Sequence, residues 1–589
     1  MESGEARHGR FRKGQKKQKE DCAARPAARA PSSFPSRGAV KAIGVFISAV
    51  KLSFFGALAY GAYQFYARHA SLFTLPALES RYAAFKVASF SLPVWAAVVS
   101  LAAVAWALYP RRRDVLMLDF ECWRGPEELQ VSYAMFKEGS RRAGVFDDES
   151  IEFQEKIVDR SGLSQETYFS PGLHEEPPNT SLERARQEAE IVMFDTVRDL
   201  LAKTGVSPKQ IDVLVTNCSL FCPTPSLAAM VINHFGLRSD IDAYNLGGMG
   251  CSAGVLAIGL GAKLLRERRQ GSYALVVSTE NITQNWYCGR SRSMIIPNTI
   301  FRMGASATLL STHKADRSRA KYRLANFVRV HLGADDVAYR CVFQRPDAAG
   351  HIGVELNKDL VSVAARAMIV NLSRLGRQVL PFSEKLATVV GLVRRRLPGG
   401  SKYGPYVPDF TKAFDHFCLH AGGRAVIEGI SKQLGLSKRQ MAPSANALHW
   451  YGNTSSSTVF YSLGYIESVQ GVKKGDKVWQ IGFGSGFKCN SAVWEALRNI
   501  KVQHHAWHHI VGREDQALDL FEEIGKMRSK ERAERAEQEA AQQAEAAEAA
   551  AEAERLAKKA QAAAFLDGAP KQAPVTRGLA RKQQQAQQA

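Results

Sequence analysis

The amino-acid sequence predicts an α/β fold for the globular part of the chain, residues 114 to about 500. Short apolar runs such as Ile211–Thr216 (IDVLVT), Tyr273–Ser278 (YALVVS), Ala305–Ser311 and Lys477–Phe483 alternate with helical patterns. Such alternation favours helices layered on a sheet of buried parallel strands. The composition, 46% hydrophobic and 23% charged residues, is normal for a folded protein with a core.

The excess positive charge lies mainly near the N-terminus. The net charge is +21, and residues 1–38 hold ten of the Lys and Arg side chains against few acids, which predicts a basic, disordered arm. A second cluster is Arg111–Arg113. Both clusters flank apolar runs, which indicates a membrane, and neither zinc-finger spacing nor a basic-aromatic motif supports a nucleic-acid partner.

Two apolar runs, at about 43–66 and 89–109, predict a transmembrane hairpin. Each is long enough to cross a bilayer, which needs roughly 20 residues. Lys51 lies about one third of the way into the first run, where it can extend toward the basic side. The flanking basic residues place both ends of the hairpin in the cytosol. The alternative is that both runs are buried core helices.

The nine cysteines are odd in number and scattered, which predicts reduced thiols and not a disulfide framework. Cys218 and Cys222 are four residues apart, but no second Cys or His pair completes a metal-binding set. We therefore expect no metal site there.

The strongest candidate for chemistry is Cys251, in the run NLGGMGCSAG (Asn245–Gly254). Glycines precede it, and a helical pattern follows from Val255 to Leu265. This predicts a cysteine at a helix N-terminus, where free amides and the helix dipole lower a thiol pKa. Glycines also allow a substrate to approach the backbone closely. Cys251 is therefore the predicted nucleophile.

Three further patches offer partners for this cysteine. In FDHFCLHAGG, His416 and His420 are an even number of residues apart on a predicted strand, with glycines after His420. Asn453 lies in a polar turn, GNTSSS. The glycine-rich turn IGFGSGF, which contains Gly484 and Ser485, can present backbone N–H groups to an oxyanion.

Two C-terminal segments receive no chemical role. His504–His509 (HHAWHH) resembles a histidine box, but a single box without matching ones predicts a solvated linker. Residues 513–589 are rich in Glu, Ala, Gln, Lys and Arg, which predicts a charged helical tail with a disordered end. A short piece with Phe521 and Ile524 is apolar enough to pack against the body.

Taken together, several long runs resemble the plant-type 3-ketoacyl-CoA synthases, the condensing enzymes of very-long-chain fatty acid elongation. The resemblance spans roughly Leu116 to Trp494. The runs that carry it are NCSLFCPTPSLAAMVINH (Asn217–His234), YNLGGMGCSAG (Tyr244–Gly254), VVSTENITQNWY (Val276–Tyr287), FRMGASA (Phe301–Ala307), HFCLHAGGRAVIE (His416–Glu428), GNTSSS (Gly452–Ser457) and VWQIGFGSGFKCNSAVW (Val478–Trp494).

The resemblance implies a thiolase-like fold of five layers, αβαβα, built from two pseudo-repeated halves at 114–400 and 401–500. Cys251 matches the family's nucleophile, His420 its catalytic histidine and Asn453 its catalytic asparagine. The oxyanion and supporting positions that it implies are Ser485, Gly484, His331, His416 and His449.

The implied activity is that of an acyltransferase, a very-long-chain 3-oxoacyl-CoA synthase that uses acyl-CoA and malonyl-CoA without metal or redox cofactor. The resemblance also implies a homodimer, association with the other elongation-cycle enzymes, and an endoplasmic reticulum membrane location with the catalytic body in the cytosol. Two alternatives stay open. One is a polyketide synthase of the chalcone type, which shares Cys, His and Asn, and the other is a non-catalytic membrane scaffold.

Overall fold

The computed structural model describes residues 96–101, 103–104, 113–268, 271–397, 404 and 406–566. The predicted basic arm and the first predicted span lie outside these ranges, as does the end of the tail from residue 567. Of the second predicted span only residues 96–101 and 103–104 are described, and they are helical. Within the described ranges, no helix combines the length and apolar character needed to cross a bilayer.

The catalytic body is built around one large sheet and the helices that cover it. The strands are β1 (Leu116–Cys122), β2 (Gln130–Val131), β3 (Thr167–Tyr168), β4 (Ile211–Asn217), β5 (Asp242–Leu246), β6 (Tyr273–Glu280), β7 (Gly304–Ser311), β8 (Tyr322–His331), β9 (Val342–Pro346), β10 (Ile352–Leu356), β11 (His416–Leu419), β12 (Lys477–Gly484) and β13 (Lys488–Ala496). The helices are α1 (Tyr133–Arg142), α2 (Asp148–Asp159), α3 (Leu182–Thr204), α4 (Leu227–Phe235), α5 (Ala253–Glu267), α6 (Arg292–Ile300), α7 (Asp336–Arg340), α8 (Leu360–Val379), α9 (Phe382–Arg396), α10 (Arg424–Leu434), α11 (Lys438–Tyr451), α12 (Thr458–Tyr465) and α13 (Gln516–Leu566).

The nine-stranded sheet has the order β11-β12-β13-β8-β1-β7-β6-β4-β5. The expectation of parallel strands is only partly correct. Strands β5, β4 and β6 are parallel to one another, and β11 is parallel to β12. The neighbouring pairs between them, from β6–β7 across to β13–β12, are antiparallel. Fully buried strands read as continuous apolar runs in either direction, so the sequence pattern did not distinguish the two.

Helices cover both faces of the sheet, and their ends follow ordinary capping rules. Helix α3 begins after Ser181, whose side chain accepts from the Arg184 amide, and ends at Gly205 in the left-handed conformation. It packs on β1, β6 and β7. Helix α5 instead contacts β4 and β6 as well as β12 and β13. The strands of the two predicted halves therefore belong to one sheet and share the helix that follows Cys251.

The prediction of a solvated linker at His504–His509 is wrong for half of the segment, since His504, Ala506 and Trp507 are buried while His505 and His508 are exposed. His504 is buried, and its Nε2 lies 2.7 Å from the Glu467 carboxylate, which also forms an ion pair with buried Lys321. Trp507 is buried against Tyr451. Sequence polarity was misleading here because one of the histidines, His504, is enclosed with a carboxylate partner.

The charged C-terminal segment is a single helix, α13, over its described length. Its first turns bury Ala517, Phe521 and Ile524, as the apolar pattern predicted. A Cβ added at Gly162 would lie 2.6 Å from the Phe521 ring, which shows how closely the helix approaches the body. Beyond its first turns, the side chains of α13 are exposed from residue 529 to 562.

Candidate active site

The turn that carries Cys251 connects β5 to α5 and interlocks with a second glycine turn. Gly248 and Gly250 have φ angles of 65° and 69°, a conformation that glycine adopts without strain. A Cβ added at Gly250 would lie 2.2 Å from the Ser485 amide nitrogen. One added at Gly484 would lie 2.7 Å from the Ser252 hydroxyl. Only glycines allow these two turns to approach so closely, and their contact brings the Ser485 backbone beside the Cys251 turn.

A matched pair of substitutions separates close approach from backbone strain. Gly250→Ala is expected to remove most activity because the added methyl group must displace Ser485. Gly248→Ala imposes similar φ strain, of order 1–3 kcal/mol, but meets nothing within 4 Å. The temperature of thermal unfolding and the activity should therefore both fall further for Gly250→Ala. Equal losses in the two variants would contradict the interlocking of the turns.

One cavity of about 150 Å³ is lined by Cys251, His420, Asn453, Gly484 and Ser485. The structure therefore brings together the predicted nucleophile, histidine, asparagine and glycine turn. Apolar side chains form most of the remaining wall. These include Phe301, Val354, Leu360, Ala364, Met368 and Val426.

His420 directly follows β11, and its imidazole is held by Thr458. The Nδ1 atom lies 2.8 Å from the Thr458 hydroxyl, which itself donates to the Ser455 carbonyl at 3.0 Å. Because that hydroxyl proton is already used, Nδ1 is the donor, and the network assigns the unprotonated nitrogen to Nε2. Burial lowers the pKa of His420 to about 4, so the resting imidazole is neutral.

This burial has a consequence for stability at low pH. Unfolded His420 takes up a proton below about pH 6.5, whereas the folded form resists protonation down to about 4. The stabilising effect is complete above pH 6.5 and is lost as the pH falls toward 4, by about 3 kcal/mol for this residue alone. The temperature of thermal unfolding should therefore fall from pH 7 to pH 5, and it should fall less steeply in His420→Gln. If the unfolding temperature of His420→Gln depended on pH as steeply as that of the parent, His420 would not be the source of this pH dependence.

Asn453 is fixed between two neighbours that define which way its amide points. Its Oδ1 accepts from the Ser455 amide at 2.9 Å, and its Nδ2 donates to the Gly422 carbonyl at 3.3 Å. Gly422 also borders His420, since a Cβ added there would lie 3.1 Å from Nε2. The side chains of Asn453 and His420 thus lie beside the same glycine, with one N–H of Asn453 left for a ligand.

The Cys251 thiol differs from the sequence expectation in one respect. Helix α5 begins at Ala253, so the cysteine does lie next to a helix N-terminus. Burial nevertheless raises the pKa of Cys251 to about 12, although a hydrogen bond with the Ser455 side chain acts in the opposite direction. The prediction of a lowered pKa is therefore wrong for the resting protein, because desolvation outweighs the helix terminus. The thiol needs a base to become a nucleophile.

Sequence reasoning missed the carboxylate of Glu280, which lies at the end of β6. It is buried and accepts from the Cys218 thiol at 3.2 Å, the Leu220 amide at 2.9 Å and the Ser455 hydroxyl at 2.8 Å. Its charge contributes to the raised pKa of Cys251. The only signal in the sequence was an acidic residue at the end of a strand that is otherwise uncharged.

The three histidines expected to support the site do not line the cavity. His331 lies at the end of β8, where its Nδ1 accepts from the Gly333 amide. His416 is at the opposite end of β11 from His420, and its Nε2 lies 3.1 Å from Asp476. His449 is buried in α11, with Nδ1 2.9 Å from the Gly162 carbonyl. The even spacing of His416 and His420 therefore did not bring both rings to the site.

Comparisons with solved structures support the fold. PKS-I from the brown alga Ectocarpus siliculosus matches with a TM-score of 0.51 at 16% identity, over 66% of this chain and 100% of that one. CsyB complexed with CoA-SH matches with a TM-score of 0.50 at 18% identity, over 65% and 100%. At these identities the matches show the class of fold, a thiolase-like α/β fold, and within it Cys251, His420 and Asn453 line one cavity.

Family models and curated relatives then give the family. Residues 107–397 match the model "FAE1/Type III polyketide synthase-like protein", and residues 411–496 match the C-terminal model of 3-oxoacyl-(acyl-carrier-protein) synthase III. 3-Ketoacyl-CoA synthase 4 of Arabidopsis thaliana is 52% identical over 67% of this chain and 76% of its own length. 3-Ketoacyl-CoA synthase 17 of the same plant is 47% identical over 72% and 87%. The chain belongs to the 3-ketoacyl-CoA synthase family.

Proposed function

We propose that this protein joins a long-chain acyl-CoA to malonyl-CoA by a decarboxylative Claisen condensation, giving a 3-ketoacyl-CoA, CO2 and CoA. The observation that carries the proposal is the apolar cavity that Cys251, His420, Asn453 and Ser485 line together. The names of the curated relatives support the same product. The five-layer description of the fold is part of the proposal, supported by helix α5, which contacts strands from both sequence halves.

The first half-reaction loads the acyl group on Cys251. The unprotonated Nε2 of His420 takes the thiol proton, and the thiolate attacks the thioester carbonyl. The amides of Cys251 and Ser485 hold the oxyanion, in the place where the two glycine turns interlock. The carbon–sulfur bond to CoA then breaks, and the departing thiolate takes a proton from solvent. His420 remains protonated.

The second half-reaction extends the chain. Malonyl-CoA loses CO2, and the electron pair of the broken bond forms an enolate on the thioester oxygen. Protonated His420 and the free N–H of Asn453 donate to that oxygen, where the charge develops. The carbanion attacks the acyl thioester, and the released Cys251 thiolate recovers its proton from His420. Decarboxylation supplies the carbanion, so the reaction as written requires no metal or redox cofactor.

The cellular setting forms part of the same proposal. The apolar runs at 43–66 and 89–109 would anchor the chain in the endoplasmic reticulum membrane, with the termini and catalytic body in the cytosol. A membrane suits the substrate, because each CH2 group of an acyl chain gains about 0.8 kcal/mol on leaving water. The homodimer and the association with other elongation-cycle enzymes rest on the family resemblance.

The test is an assay of the membrane-bound full chain with acyl-CoAs of graded length and labelled malonyl-CoA. We expect a single two-carbon extension and one CO2 released per product. Multiply extended pyrones would favour the polyketide alternative. Absence of any product from every acyl-CoA, in a protein that unfolds cooperatively, would favour the scaffold alternative.

A further inference from the structure

Helix α9 contains many apolar residues, but it contacts the body through a polar residue and leaves the apolar ones exposed. Of its residues Phe382 to Arg396, only Glu384 is buried. An amphipathic helix in a globular protein normally directs its apolar stripe to the core. Here the buried position is a carboxylate, so this helix does not follow the usual arrangement.

The side of α9 that faces the body is defined by two contacts. The Glu384 carboxylate accepts from the Tyr406 hydroxyl at 2.6 Å, the Asp409 amide at 3.0 Å and the Lys412 ammonium at 2.6 Å. A Cβ added at Gly391 would lie 2.9 Å from the Tyr406 Cβ. At 100° per residue, Glu384 and Gly391 are about 20° apart around the helix axis. The helix is therefore held along this one side.

The apolar stripe lies on the opposite side and faces outward. Its side chains are spaced three and four residues apart, and each is between 51% and 78% exposed. Together they cover about 100° of the helix surface, centred roughly 170° from Glu384. The outward stripe consists of Phe382, Leu386, Val389, Val390, Val393 and Leu397.

Basic residues flank the outward stripe. Arg374 to Arg396 contains six basic residues and one acid, and the acid, Glu384, is paired with Lys412. Arg394 and Lys385 lie on opposite borders of the stripe. An apolar stripe between cationic side chains is typical of a helix that lies in the surface of an anionic bilayer. Fifteen residues span only about 22 Å as a helix, which is too short to cross the hydrocarbon core.

We propose that α9 lies in the plane of a lipid bilayer that contains anionic lipids. The outward stripe inserts among the acyl chains, and Lys385, Arg394 and Arg396 contact the phosphate and carboxylate headgroups. A second copy of this chain fits the helix less well, because both borders of the stripe are basic and a symmetric contact would oppose Lys385 and Arg394 of the two copies with no acid between them. This contact does not depend on the condensation chemistry, so the two proposals succeed or fail separately.

The experiment uses the full chain in nanodiscs with p-benzoylphenylalanine at Val389 in the outward stripe. One set of discs contains phosphatidylcholine alone, and a second also contains phosphatidylserine. We expect light-induced lipid adducts at this position, increased about fivefold by the anionic lipid and reduced by Arg394→Gln with Arg396→Gln. The same group at Val511, which is 72% exposed elsewhere on the body, is the control and should give background only.

Two outcomes would overturn the proposal. One is a lipid signal at Val389 no higher than at Val511, and the other is an adduct to a second copy of the chain. The stripe is also tested without lipid by Val389→Glu with Val393→Glu. Since both side chains are exposed, this variant should unfold at the temperature of the parent in detergent, and a clear loss of stability would show that the stripe is packed against protein.

Discussion

Cys251→Ala is expected to abolish condensation, with a loss of at least about 10⁴-fold, the scale seen when a covalent nucleophile is removed. The neighbouring hydroxyl of Ser455 cannot take over, because it already donates to buried Glu280. Acyl transfer from labelled acyl-CoA to the protein should disappear as well. Decarboxylation of malonyl-CoA should persist at a measurable rate, because His420 and Asn453 remain to bind the enolate.

The control for this substitution is Cys288→Ala. Cys288 is a half-buried free thiol outside the catalytic cavity, so this variant should keep both activity and stability. The two variants differ only in whether the removed sulfur faces the substrate. Condensation that survives in a folded Cys251→Ala protein would reject the proposed nucleophile.

Asn453→Ala is expected to lower condensation by about 10²- to 10³-fold, which corresponds to about 2.7–4 kcal/mol for one lost donor to a developing oxyanion. The loss should fall on the decarboxylation step, while acyl transfer to Cys251 continues. Single-turnover assays with labelled acyl-CoA and labelled malonyl-CoA separate the two steps.

A second variant separates the chemical role of Asn453 from its structural one. Alanine also removes the acceptor of the Ser455 amide, and an unpaired buried N–H costs about 1–3 kcal/mol. Asn453→Asp keeps that acceptor but presents negative charge to the enolate. We expect its thermal stability to lie closer to the parent and its activity to be no better than that of Asn453→Ala. Recovery of activity in Asn453→Asp would mean that the residue only supports the turn.

The sequence was most informative where function demands a fixed residue type in an unusual backbone setting. Cys251, His420 and Asn453 lie in runs with adjacent glycines or small polar residues. The run around Cys251 was enough to predict a nucleophile, whereas the roles of His420 and Asn453 came from the family resemblance. The close contact between Gly250 and Ser485 could not be predicted from the sequence. Six strands separate β5 from β12 in the sheet order, so no local pattern places their turns together. Helix α5 packs on β4 and β6 as well as on β12 and β13, and only this tertiary arrangement brings the two turns into contact.

Properties that depend on burial were not predictable from local sequence. The thiol of Cys251 was expected to be acidic because it precedes a helix, but desolvation outweighs that effect. Glu280 and His504 are polar residues that the fold encloses with partners. The reverse holds for α9, whose apolar periodicity matches a core helix although its stripe faces outward. Periodicity defines a face, and only tertiary structure defines what that face contacts.

The seating of Phe521 and Ile524 on the body has a practical consequence for shortening the chain. A stop codon near residue 513 would discard these anchors and leave Gly162 and its neighbours open to water, next to the carbonyl that binds His449. A stop codon after about residue 530 would remove a stretch of α13 whose side chains are exposed from residue 531 to 562. Expression trials should therefore shorten the protein after about residue 530. If a 512-residue product aggregated or unfolded, the cause would be the damaged core, and the result would not bear on the role of the distal part of α13.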